Sequence, residues 1–296
     1  MVVEIANDVI EYLEVNKRIL NDQSDIIITL DELARQCYEH HHVIFAEIDV
    51  LEHLKNFELL EKRARRVFST LFRKAFELKS FVDATKYRIR YTRAVDDNIL
   101  KIEEDSAVLC VSILKKNILS QSILICENLR DCELYIDLTK EIIKEKRTNI
   151  SISVHSIHCG GSEADATIKN EILTGECRPI ACIMDSDKKS KTDKYGASAK
   201  NAIEIFNREK DKYPIALYVL SVRMKENLFP PDILTLETNI ANKNFLTSLI
   251  PYKNDSHFED FFRFFNFKDT VLVKDCEKIS SFRTNLEEVG IVWPWG

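Results

Sequence analysis

Pro179-Ile-Ala-Cys-Ile-Met-Asp-Ser-Asp-Lys-Lys189 decides the fold. Its uncharged run, Pro179 to Met184, reads as a central strand of a parallel sheet, buried on both faces, and Asp185 and Asp187 stand at the carboxyl end. Working outward, Ser122-Ile-Leu-Ile-Cys126 and Ile215-Ala-Leu-Tyr-Val-Leu220 are apolar runs of the same kind, and Ile150-Ser-Ile-Ser-Val154 is β-like. Amphipathic helical stretches lie between them, over Leu129–Lys146, Glu163–Leu173 and Ala197–Lys212. Strand and helix alternate, which predicts an α/β fold with a doubly wound parallel sheet. Active groups in such a sheet belong at the carboxyl ends of its strands.

Acids stand at those ends. Glu127 closes the first run with Asp131 four residues on, Asp185 and Asp187 close the third, and Glu226 follows the fourth. Asp185 and Asp187, two apart, are expected on one face of an extended tip. Five crowded carboxylates repel one another and require protons, basic partners or a cation. Hard oxygen ligands at that density suit Mg²⁺ or Mn²⁺. Two such ions about 4 Å apart can generate a hydroxide nucleophile and stabilise both oxygens of an in-line phosphoryl displacement. The plainer reading of each single acid is the N-cap of the next helix.

Around this core the 296 residues have an ordinary globular composition, 45% hydrophobic and 30% charged with 6 Gly and 6 Pro, which excludes collagen-like and disordered chains. The opening residues carry Glu4, Asp8, Glu11 and Glu14 where a signal peptide is basic and then apolar, so a cytoplasmic protein without membrane contact is expected. Eight cysteines show no CxxC pairing and read as reduced, mostly buried thiols. His155, His158 and Cys159 have zinc-ligand chemistry but no second pair at finger spacing. His40-His41-His42 reads as an exposed helix end.

Residues 1–115 are expected to form a mainly helical N-terminal domain that binds nucleic acid or a partner. Its signals are the periodicity of Val3, Ile5, Ile10, Leu13 and Val15, and a capping box at Thr29 and Glu32 ahead of a second helix. Lys86–Arg93 alternates β-formers with basic residues, as a strand or small ribbon does. Net charge is −6, yet Lys62–Arg93 holds eleven basic residues against Glu77 and Asp83, a local +9. Arg63, Arg65, Arg66, Arg73 and Lys74 could follow a phosphate backbone, or form a solvated helix face. Residues 116–233 make the α/β unit and 234–296 a helical extension, in which Phe258, Phe261, Phe262, Phe264 and Phe265 read as core packing.

These residues resemble the Toprim domain, the metal-binding α/β fold of topoisomerases, primases and overcoming-lysogenization-defect (OLD) nucleases, over about residues 121 to 230. Its hallmarks are a glutamate after the first strand, a Gly-containing turn after the second and a DxD after the third. Here they look like Glu127, Gly160-Gly161 and Asp185-Ser-Asp187. Asn128 stands where the family usually has Gly, while Asp131 is kept. Arg223-Met-Lys-Glu226-Asn227 looks like the Arg and Glu-Asn element of the nuclease-type members, including small phage-defence proteins. The resemblance implies Glu127, Asp185 and Asp187 as metal ligands and catalytic residues. It implies Asp131 and Glu226 as further ligands or general bases, and Lys188, Lys189 and Arg223 as contacts to the phosphate. A Toprim-like, OLD-like endonuclease is then expected, hydrolysing DNA ahead of RNA by a two-metal mechanism as an antiphage effector. No GxxxxGK[ST] is present, so any ATPase would be a separate partner protein. A homo-oligomer stays open.

Two other classes remain. A DxD after an apolar strand is also how nucleotide-sugar transferases bind a metal diphosphate, and the +9 segment suits a non-catalytic nucleic-acid-binding regulator.

Overall fold

The computed structural model describes residues 1–95, 99–103, 106–112, 119–145, 150–160, 163–173, 178–237, 246–247, 250–252 and 262–264. Gly161, Cys177, Cys276, Phe258, Phe261, Phe265 and most of the expected C-terminal extension lie outside them. The chain divides into two compact units, Met1–Cys182 with Ala202–Leu217, and Ile183–Asn201 with Tyr218–Gly296. The expected boundaries at 115/116 and 233/234 are not where this division falls.

The N-terminal region is α/β, which corrects the expectation of a mainly helical domain. Strands β1 (Val2–Ile5), β2 (Val43–Ala46), β3 (Tyr87–Tyr91), β4 (Ile99–Glu103) and β5 (Ser106–Val111) form one sheet in the order β2-β1-β3-β5-β4. All pairs are parallel except the antiparallel β4–β5. Helices α1 (Asn7–Asn16), α2 (Asp25–Tyr38), α3 (Ile48–Asn56), α4 (Lys62–Arg73) and α5 (Ala75–Asp83) fill the crossovers. Val-Val-Glu-Ile, apolar but for Glu4, and Val-Ile-Phe-Ala are four residues each, too short for periodicity to separate a buried strand from a helix turn. Nor does α2 begin at the capping box. It starts at Asp25, after an extended Ser24, so Thr29 and Glu32 lie inside the helix.

Helix α4 shows the logic of this unit. Ala64, Phe68 and Leu71, at helical spacing, are buried, while Lys62, Arg63 and Arg66 are exposed. Fully buried Phe68, Leu51, Leu54, Leu30 and Ile89 belong to one core cluster.

The sheet also takes back part of the +9 charge. Arg88 Nε donates to Glu4 Oε2 at 3.0 Å and Arg88 Nη2 to Glu103 Oε2 at 3.0 Å. Arg90 Nη2 donates to the same Glu103 oxygen at 2.9 Å and lies 3.1 Å from Glu4 Oε2. Two arginines and two glutamates on one face of β1, β3 and β4 thus neutralise each other.

A second sheet comprises β6 (Ile123–Cys126), β7 (His155–His158), β8 (Ile180–Met184) and β9 (Ile215–Val219) in the order β7-β6-β8-β9, with β6 parallel to β7 and to β8. Helices α6 (Leu129–Glu145), α7 (Ala164–Leu173) and α8 (Ala197–Glu209) alternate with its strands, as the sequence predicts. One strand is displaced: residues 150–154 are not a strand, and His155-Ser-Ile-His158 pairs with β6 instead. An edge strand needs no apolar alternation, so its polar composition hid it. The α/β class is established, and its Toprim-like variety is a separate question. Beyond these strands, α9 (Pro231–Glu237) follows, and Phe262 and Phe264 are buried as expected.

Guanidinium hydrogen bonds from Arg90, helped by Arg88, hold the Glu103 carboxyl below its ordinary value of 4.5. A depressed carboxylate pKa adds stability above the unfolded value, and that stability is lost as pH falls through the folded one. Thermal unfolding followed from pH 7 to about 3 is expected to show this loss in the parent chain and a shallower one in Glu103→Gln. Identical pH profiles would remove the network from the stability of the sheet.

Candidate functional site

Within the second unit, the loop after β8 is stitched to the loop after β9. The Ser186 hydroxyl, fully buried, donates to the Val222 carbonyl at 2.6 Å, and the Asp187 N–H donates to the Arg223 carbonyl at 2.9 Å. The Lys225 N–H donates to Asp185 Oδ1 at 3.1 Å, and the Leu220 N–H to the Met184 carbonyl at 2.9 Å. Asp185 is 7% exposed. Its acid is therefore fixed from the segment that carries Glu226.

Asp187 is not extended. Its φ is 51°, in the left-handed region that a non-glycine residue adopts at a cost of about 1 kcal/mol or more. The expectation that Asp185 and Asp187 share a face of an extended tip is therefore corrected. Gly196 donates its N–H to the Ser186 carbonyl at 2.9 Å, and the Asp187 side chain lies directly against it. A Cβ on Gly196 would stand 2.5 Å from Asp187 Cβ and 2.8 Å from Oδ2. Glycine at 196 makes the room that the carboxylate uses.

Lys225–Leu228 forms a 3-10 turn. Asn227 is structural here: its side-chain oxygen accepts the Met224 N–H at 3.0 Å and its amide donates to the Phe262 carbonyl. Arg223 is buried, and its N–H donates to the Arg263 carbonyl at 2.8 Å. Glu226 Oε2 is buried and has no hydrogen-bond partner among the described residues. Lys188 holds its ammonium 4.3 Å from the Tyr195 ring centre, and Lys189 is exposed.

In the first unit, Glu127 directly follows β6, and Asp131 sits on the first turn of α6. Asn128 Oδ1 accepts the Asp131 N–H at 3.0 Å, and Asn128 Nδ2 donates to Asp131 Oδ2 at 2.7 Å. This reciprocal pair caps α6 and explains why an amide stands at 128. Asp131 has a capping role that spacing alone could not separate from ligation.

Cys126, Cys132, Cys159 and Cys182 are buried beside these strands, and the six cysteines among the described residues are free thiols. The Cys132 hydrogen bond and burial push Cys126 up, and burial pushes Cys182 up, so these sulfurs stay protonated. After β7, Gly160 adopts φ +59 with open space where a Cβ would stand.

A divalent cation is tested by this donor set. Among the described residues, no three His, Cys, Asp or Glu side chains form a ready-made metal group. Donor chemistry does fit: Asp185, Asp187 and Glu226 are hard oxygen ligands, and the unpartnered Glu226 oxygen is one that a cation would satisfy. Neither a family model, nor a curated protein, nor a solved structure matches this chain.

On α4 and at its C-terminal cap, Arg63, Arg66 and Lys74 line a cavity, half-buried Arg65 does not, and exposed Arg73 donates to Thr70 Oγ1 at 3.4 Å. No helix among the described residues is long and apolar enough to cross a membrane.

The contact between Gly196 and Asp187 is open to measurement. Gly196→Ala is expected to lower the melting temperature further than Gly160→Ala, which meets only backbone strain of about 1–2 kcal/mol. Asp187→Gly added to Gly196→Ala should recover most of the loss, because it removes both the clash and the left-handed side chain. A Gly196→Ala protein that melts like the parent would refute this packing.

Proposed function

We propose that the chain is a metal-dependent phosphodiesterase that cuts nucleic acid, DNA ahead of RNA, with the acids after β6, β8 and β9 as its working groups. One observation carries the reading: Asp187 is held in a left-handed conformation beside the buried Asp185, by Gly196 and a bond to Arg223. Strain kept in place by surrounding contacts is characteristic of working sites. The resemblance to OLD-type Toprim nucleases adds Glu127 and an antiphage role, with a separate ATPase as partner.

Asp185, Asp187 and Glu226 would hold the cation, with Glu127 added by the resemblance. A bound divalent ion supplies Lewis-acid stabilisation of the phosphate oxygens and a lowered pKa for water. The chain's own groups do the rest. Asp185 is oriented by the Lys225 N–H, so substrate charge arriving nearby does not rotate it. Among the described residues Lys188 is paired with an aromatic face alone, and its ammonium can leave Tyr195 for a phosphate oxygen at small cost. Arg223, fixed through its backbone at both N–H and C=O, places a second cation in the loop after β9.

Supercoiled plasmid incubated with the protein in Mg²⁺, in Mn²⁺ and in EDTA tests the proposal. Nicking in either metal, abolished by EDTA and reduced at least about a hundredfold in Asp185→Ala/Asp187→Ala, is expected. Cleavage that persists in EDTA, or at the parent rate in the double variant, would overturn the assignment. Uridine-diphosphate-sugar hydrolysis without nicking would point to the transferase class instead.

A further inference from the structure

Within the first unit, a cavity of about 880 Å³ opens between the last turn of α2, the edge strand β2, and helices α4 and α5. Its volume is in the range that holds a small organic ligand. Its walls divide by chemistry. Val43 and Ile44 of β2, with Val67, Leu71, Leu78 and Ile150, give an apolar side. Lys62, Arg63, Arg66 and Lys74 give a cationic side, and among the described residues no Asp or Glu lines it, so four unit charges face one concave space.

Those cations are not consumed internally. Among the described residues, Lys62, Arg66 and Lys74 make no ion pair, whereas Arg88 and Arg90 of the same basic segment are fully engaged with Glu4 and Glu103. Arg63 lies 4.3 Å from the ring centre of Tyr38, which also lines the cavity and is 62% exposed. Uncompensated like charges on one concave wall repel, and an anion there relieves the repulsion.

A second, independent feature points inward. His42 lines the cavity, is 3% exposed, and among the described residues neither ring nitrogen has a hydrogen-bond partner within normal geometry, although the ring lies against the backbone of Leu119 and Ser120. Burial leaves this imidazole neutral, with its pKa lowered to about 3, so it offers one donor and one acceptor rather than a fifth charge. The approach to β2 is itself constrained. His40 takes φ 63°, the His40 N–H donates to the Cys37 carbonyl at 3.1 Å and the His41 N–H to the Gln36 carbonyl at 3.0 Å. This is a Schellman end for α2 without its usual glycine, and it delivers His42 into the wall.

We propose that this cavity binds a phosphorylated small molecule of nucleotide size, phosphates on the α4 cations and ring against β2. Carbonyl groups at the C-terminus of α2 repel an anion, which places the phosphates on the opposite wall. Arginine forks at 63 and 66 recognise phosphate oxygens two at a time, and Tyr38 offers a face for a ring. A concave pocket with an apolar wall suits a compact ligand, whereas a polymer is followed along an extended groove. The binding is independent of the proposed cleavage, because all of its groups lie in the first unit.

Isothermal titration of the full chain in EDTA, where cleavage is silent, tests the site with ATP, inorganic triphosphate, adenosine and a 5′-phosphorylated single-stranded oligonucleotide. ATP is expected to bind one per chain and more tightly than triphosphate, and adenosine not to bind. Arg63→Ala/Arg66→Ala should weaken ATP at least about tenfold, whereas Arg73→Ala, which removes the same kind of charge outside the cavity, should not. Should the double substitution unfold the chain, Lys62→Ala at an exposed position carries the same expectation. Three results would overturn the proposal: no binding of ATP to the parent, equal weakening by Arg73→Ala, or an oligonucleotide that outcompetes ATP.

Discussion

Everything at the candidate site depends on a backbone stitch. The loops that leave β8 and β9 are locked by the bonds from Ser186 to Val222, from Asp187 to Arg223 and from Lys225 to Asp185. Buried polar groups must be paired, and here each pairing also positions a side chain. Asp185 loses its rotational freedom to Lys225, Asp187 takes its unusual φ as its N–H meets Arg223, and Gly196 is required so that the carboxylate fits. Chemistry at this edge therefore rests on hydrogen bonds that no sequence motif records.

The second sheet was legible because its strands obey the simplest rule. Ile-Leu-Ile-Cys, Ile-Ala-Cys-Ile-Met and Ile-Ala-Leu-Tyr-Val are apolar runs of strand length separated by amphipathic helices. The rule fails at the edges. His155-Ser-Ile-His158 covers no core, has no apolar signature and was displaced by five residues to a more apolar neighbour. In the N-terminal region the failure is larger. Short strands such as the four-residue β1 and β2 between longer helices leave the helical period dominant, and Val3 and Ile5 merge into the repeat of α1 although a strand end intervenes at Ala6.

Site residues divide the same way. Sequence could place acids after strands, but not distinguish a ligand from a cap. At Asp131 the amide at 128 adds a capping role through two hydrogen bonds, and an Asn three residues before an Asp was the available signal. The +9 segment was visible as a sum while its partition was not. Arg88 and Arg90 face glutamates far away in the chain, whereas Lys62, Arg63, Arg66 and Lys74 recur at helical spacing along one wall. Gly196 was missed, and His42, expected at an exposed helix end, is buried instead, since a glycine that yields room and a histidine turned into a wall are properties of packing.

Position 187 supplies the strongest argument that the DSD tip does more than turn the chain. A turn that needs a left-handed residue is served best by glycine at that position, which adopts φ near 51° without strain. This chain does the reverse, with aspartate where glycine would be easier, and glycine nine residues on, where a Cβ would meet the Asp187 side chain. Both choices cost stability, one through backbone strain and one through the entropy of an added glycine. Neither improves packing, and both are explained once the carboxylate at 187 has to stand in that one place. Carboxylates this close repel unless a proton, a basic partner or a cation compensates them, and the proposed cation site is the reading of this edge that uses both residues.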